Sequence, residues 1–84
     1  MNQKTQLRSK AKALEPILRI GKNGLSENVI KEIGSLLKEK NLIKIKLLKS
    51  AISKNKKEMI NEITEKTDSE LIEAVGNIAV LYRE

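Results

Sequence analysis

Apolar positions along this 84-residue chain change period several times, and each change marks an element. Leu7, Ala11 and Leu14 recur at i, i+4 and i+7, which predicts a helix from about Thr5 to Glu15. Pro16 disfavours helical geometry at Glu15 and closes it. Ile17-Leu18-Arg19-Ile20 then suits a short strand. Val29, Ile30, Ile33, Leu36 and Leu37 mark the core face of a second helix, from about Glu27 to Lys40. Ser26 can cap it through its hydroxyl, Glu27 adds negative charge to its first turn, and Leu25 with Ile30 has the spacing of a hydrophobic staple. Gly34 lies inside this helix at a cost of about 1 kcal/mol against Ala, which suggests that a neighbouring element approaches closely there.

Asn41 ends the second helix, and Leu42–Leu48 reads as a strand in which Ile43, Ile45 and Leu47 alternate with Lys44 and Lys46. The polar segment Lys49–Lys54 leads to a third helix at about Lys56–Thr67. Asn55 and Glu58 have capping-box spacing, and Met59, Ile60 and Ile63 form the apolar face. Two last strands, Leu71–Val75 and Ile78–Tyr82, flank Gly76-Asn77, a common tight-turn pair. The final strand is apolar on both faces, as a central strand covered on both sides would be. The first helix should therefore pack on the sheet face opposite at least one other helix. The predicted fold is α/β, ordered αβαβαββ, with a mixed four-stranded sheet and three helices in a single domain over residues 1–84.

Composition narrows the function classes. Apolar residues make up 39% and charged residues 33%, a balance typical of a folded domain. A chain of this size buries about 60–65% of its unfolded surface, leaving little stability to spare. With neither cysteine nor histidine, it has no disulfide, thiolate nucleophile, histidine base or plausible zinc site. The expectation is a non-enzyme with no catalytic residues, no metal and no cofactor. Met1–Thr5 lacks the apolar core of a signal peptide, and no apolar run approaches membrane-spanning length, so a cytoplasmic protein without membrane contact is expected. Charge is uneven within the net +6. Residues 1–57 hold fifteen Lys or Arg against four Asp or Glu, and residues 58–84 hold two against seven. Such asymmetry is the footprint expected for a polyanion partner, although a lysine-rich solvated surface has the same composition.

The candidate chemistry concentrates around Gly21-Lys22-Asn23-Gly24, which joins a strand end to a helix start. Free backbone N–H groups and the positive end of the helix dipole favour an anion there. The glycines permit positive φ and close approach by a ligand, and Lys22 adds a cation. A bare G-x-x-G also describes an ordinary strand-to-helix turn. In the first helix, Lys4, Arg8 and Lys12 follow at i, i+4 with Lys10 on the flank, a repulsion that a polyanion would offset and that a solvated face would simply tolerate. Lys44 and Lys46 can be solvated, can protect a sheet edge, or can extend the basic track. Glu58, Glu62 and Glu65 make the third helix largely acidic, so it should lie away from any phosphate.

Leu7–Pro16 running into Ile20-Gly21-Lys22-Asn23-Gly24-Leu25-Ser26, then Leu42–Lys46, Val75-Gly76-Asn77 and Val80-Leu81-Tyr82-Arg83, resembles the CRM domain, the chloroplast RNA splicing and ribosome maturation domain, in its stand-alone YhbY-like form. The resemblance spans about residues 5–83. It implies a fold similar to the C-terminal domain of translation initiation factor three, RNA binding through the glycine loop and adjoining basic surface, and association with ribosomal RNA in large-subunit precursors. The implied RNA-binding residues are Gly21, Lys22, Asn23 and Gly24, with Arg8, Lys10 and Lys12, and with Lys44 and Lys46 at matching positions. The loop also resembles the G-x-x-G of KH domains, but follows a strand where theirs follows a helix. Tyr82 is the only aromatic residue, so no multi-base stacking platform can form and low sequence specificity is expected. The partner expected is RNA, bound by a chain that is monomeric when free. The alternative is an interaction adaptor whose basic face meets an acidic protein.

Overall fold

A computed structural model of the chain describes residues 3–21, 25–48 and 56–84. The elements follow the order α1 (Gln3–Ala11), β1 (Leu18–Ile20), α2 (Glu27–Lys40), β2 (Leu42–Leu47), α3 (Lys56–Thr67), β3 (Glu70–Val75) and β4 (Ile78–Tyr82). The four strands form one sheet in the order β1-β2-β4-β3. β1 runs parallel to β2, while β4 is antiparallel to both β2 and β3, so the sheet is mixed as expected.

Side-chain alternation sorts the core onto two faces. On one, Ile20, Ile43, Ile45, Leu47, Ala79 and Leu81 meet Ile33 and Leu37 of α2 and Met59, Ile60 and Ile63 of α3. On the other, Ile72 and Val80, with Leu42 and Tyr82 beside them, receive Leu7 and Ala11 of α1. β4 contributes to both clusters, which explains its continuous apolar run. Among the described residues, the eight largest fully buried side chains all belong to the first cluster. At about 1.5–3 kcal/mol for each Leu or Ile taken out of water, the α2–α3 side is the main source of stability and α1 is the lightly held layer.

Local chemistry sets the helix ends. Ser26, extended at φ −81° and ψ 165°, accepts the Val29 N–H at 3.3 Å and caps α2. At the other end Asn41 has φ 67°, donates its N–H to the Leu37 carbonyl at 2.8 Å, and gives its side-chain amide to the Arg83 carbonyl at 2.9 Å. Arg83 returns its N–H to the Asn41 carbonyl and places Nη1 3.1 Å from the Thr67 carbonyl at the end of α3. One C-terminal arginine thus satisfies orphan groups at two helix termini.

Two expectations need correction. α1 ends at Ala11, not Glu15, because the backbone tightens through Ala13 N–H to Lys10 O and Leu14 N–H to Ala11 O. Leu14 leaves the apolar stripe and is 37% exposed. Its carbonyl instead accepts the Lys44 ammonium at 3.0 Å, and Ile17 N–H reaches the Lys44 carbonyl at 2.9 Å, which docks the connection on the sheet. Among the described residues, no atom lies within 4 Å of a Cβ added to Gly34, so none of them crowds the helix there. Gly21 does not adopt positive φ, and a Cβ on it would meet Leu48 Cδ1 at an ordinary 3.6 Å. The Asn55 capping position lies outside the described residues. Among the described residues, no helix is long and apolar enough to cross a membrane.

Candidate nucleic-acid interface

The α1 side of the sheet is where the basic residues gather. Parallel pairing sets Arg19 of β1 beside Lys46 of β2, and antiparallel pairing sets Lys46 beside Ile78 and Lys44 beside Val80 of β4. Paired positions share a face, so Arg19, Lys44 and Lys46 lie on the side that carries α1. Arg19 is exposed, whereas Lys44 and Lys46 are half-buried. Arg19 is a cation that the predicted set omits. Its place between Leu18 and Ile20 follows the same alternation that singled out the two lysines.

The cations differ in how far they are free. Lys10 and Lys12 are exposed at the end of α1. Arg8 is exposed too, but its Nε donates to the Ile72 carbonyl at 3.3 Å and so closes part of the β3 edge. The Lys44 ammonium is held by the Leu14 carbonyl. Arg19 and Lys46 make no side-chain hydrogen bond or ion pair among the described residues. Arg8 and Lys44 therefore have structural work that Lys10, Lys12, Arg19 and Lys46 lack.

One end of the sheet brings several termini together. Ile20 accepts the Leu48 N–H at 2.9 Å, so Gly21 leaves β1 beside the end of β2. Leu47 donates to the Asn77 carbonyl at 2.7 Å, and Lys56, the first residue of α3, donates through Nζ to the Gly76 carbonyl. The capped start of α2, the start of α3 and the Gly76-Asn77 turn thus share this end. Lys22, Asn23 and Gly24 lie outside the described residues. Tyr82 is half-buried against the α1 cluster, in keeping with a packing role.

Acidic residues sit elsewhere. Glu58, Glu62 and Glu65 belong to α3, which packs on the opposite face from α1, and Glu62 pairs with Lys66 at 3.1 Å. The exceptions on β3 are Glu70, which pairs with Tyr82 of the α1 cluster, and Glu73. The register skips from Leu71↔Leu81 to Glu73↔Val80, so Ile72 is an extra residue and both it and Glu73 serve the α1 side. The hairpin reading contains no such bulge. Among the described residues, no three Asp or Glu side chains converge to hold a metal ion.

Comparison with known proteins places this arrangement. The chain is 38% identical to the probable RNA-binding protein YqeI of Bacillus subtilis over 98% of its own length and 84% of that protein. It is 38% identical to an RNA-binding protein of Haemophilus influenzae, with 96% and 81% covered. The solution structure of the hypothetical protein SAV1595 from Staphylococcus aureus superposes with a TM-score of 0.81 at 43% identity, covering 98% of this chain and 84% of that one. The model of the CRS1 / YhbY (CRM) domain matches residues 1–83, and the chain belongs to that family.

Proposed function

We propose that this protein is an RNA-binding module that holds structured RNA against the α1 side of its sheet and the adjoining glycine loop, without turning it over. The observation that carries the reading is the segregation of charge by the sheet. Arg8, Lys10, Lys12, Arg19, Lys44 and Lys46 lie on one side, whereas α2 and α3 on the other each balance three Lys with three Glu. A one-sided basic surface attracts a phosphate backbone and orients it. The RNA-binding names of the relatives point the same way. Without a stacking platform, affinity rests on phosphates, 2′-hydroxyls and shape, which suits folded RNA.

The finer proposal follows the family resemblance: the RNA is ribosomal, in large-subunit precursors, the setting is cytoplasmic, and the free protein is a monomer. Crosslinking in cells followed by sequencing of bound RNA is expected to enrich large-subunit precursor RNA. Crosslinks spread evenly over messenger RNA would remove the ribosomal assignment, and crosslinks to protein alone would favour the adaptor. The loop has its own test, because a Lys22→Ala, Asn23→Ala variant leaves both glycines in place. That variant is expected to bind precursor RNA more weakly than wild type, with a salt dependence reduced by about one phosphate. Unchanged binding would reduce the loop to a turn.

A further inference from the structure

Of the two β3 acids on the α1 side, Glu73 is the one that lies beside Lys44, and the sheet register explains what surrounds it. Lys44, Val80 and Glu73 are aligned across β2, β4 and β3, and Arg19, Lys46, Ile78 and Val75 form the next row across all four strands. Lys44, Glu73, Val75, Ile78 and Val80 line an open cleft of about 220 Å³ beyond the part of this face covered by α1. Val75 is 64% exposed, and Ile78 and Glu73 are half-buried. Glu73 has no hydrogen-bond or ion-pair partner among the described residues.

From this juxtaposition we propose that the cleft receives one unpaired guanine of the bound RNA, with Glu73 reading its Watson–Crick edge. The inference rests on the RNA-binding reading and adds a base to it. Val75, Ile78 and Val80 offer an apolar bed for one base. β2 and β3 are two strand spacings apart, roughly 10 Å, a span suited to a base whose edge meets Glu73 while its phosphate meets Lys46 and Arg19. An ionised carboxylate only accepts hydrogen bonds, through two oxygens. Guanine alone presents two adjacent donors, N1–H and the 2-amino group. Adenine and cytosine place a ring-nitrogen acceptor beside their amine, and uracil flanks its one donor with two carbonyls. The bulge at Ile72 is what turns Glu73 toward this cleft while Ile72 remains in the α1 cluster.

The test uses an RNA hairpin carrying a single bulged G, A, C or U, and a control hairpin with no bulge, against the full chain. The wild type is expected to prefer the G hairpin over the A hairpin by about tenfold, the contribution of a charge-assisted hydrogen bond. Glu73→Gln is expected to bring that ratio close to one while binding to the control hairpin stays equal or strengthens, since a negative charge leaves a basic face. If Glu73 only tempers bulk charge, Glu73→Gln raises affinity for every hairpin and wild type has no base preference, which overturns the proposal and leaves general RNA binding intact. Failure of wild type to bind any hairpin overturns both. A free nucleotide carries the same chemistry, so guanosine monophosphate is titrated against the methyl signals of Val75 and Ile78. Saturation by it, with no base preference among the hairpins, would assign the cleft to a nucleotide and overturn the RNA source.

Discussion

Two glycines with empty space around them predict opposite outcomes for one substitution. A Cβ on Gly34 or on Gly76 would meet no atom of the described residues within 4 Å, but Gly76 has φ +59° and Gly34 lies within α2 at ordinary helical φ. Gly34→Ala is therefore expected to stabilise the protein by about 0.4–1 kcal/mol, through helix propensity and a less flexible unfolded chain. Gly76→Ala is expected to destabilise it by about 1–2 kcal/mol, the cost of a left-handed conformation for an L-residue. Thermal melts distinguish the two, since 1 kcal/mol moves Tm by about 4–8 °C in a domain of this size. The two strand lysines separate in the same way. Lys44→Ala removes the ammonium that holds the Leu14 carbonyl and should cost about 0.5–1.5 kcal/mol of stability. Lys46→Ala should leave stability within about 0.5 kcal/mol and weaken RNA binding. Equal losses of affinity with no difference in stability would show that Lys44 faces the RNA as freely as Lys46.

Elements whose ends are made by neighbouring residues were legible in the chain. α2 begins after Ser26 because its hydroxyl meets Val29 three residues on, and it ends at Asn41 because that residue turns back on Leu37. α1 was overextended because its end depends on Lys44, thirty residues away, which no local periodicity around Leu14 reports. The bulge at Ile72 was hidden for a similar reason, since it appears only when β3 is set against β4 with α1 laid over both. Within the candidate site, the basic strand face was readable from alternation, whereas the ties of Arg8 and Lys44 to backbone carbonyls were not. Opposed helices give the element-scale prediction. Lys10→Glu with Lys12→Glu should weaken RNA binding strongly, while Glu62→Lys with Glu65→Lys should not weaken it. Filter binding on variants matched by circular dichroism checks this, and equal weakening by both pairs would contradict a one-sided surface.

For the molecule as a whole, the net +6 charge and its division by the sheet bear on how binding responds to salt. Neutralising four to six phosphates gives a slope of log K against log salt of about −3 to −5. A titration from low to moderate salt measures it, and a nearly flat line would rule out a phosphate-driven interaction. The lightly held α1 has a consequence of another kind. Its anchorage on Leu7 and Ala11 is small beside the cluster under α2 and α3, so α1 should form a separate unit of opening, released at a free energy below that of global unfolding. Amide hydrogen exchange would register this as faster exchange in Leu7–Ala11 than in Ala79–Leu81. A polyanion laid across Lys10 and Lys12 would slow exchange in the helix and leave β4 almost unchanged. The protein would then meet its RNA with one helix still able to lift, and part of the binding free energy would go into holding that helix down.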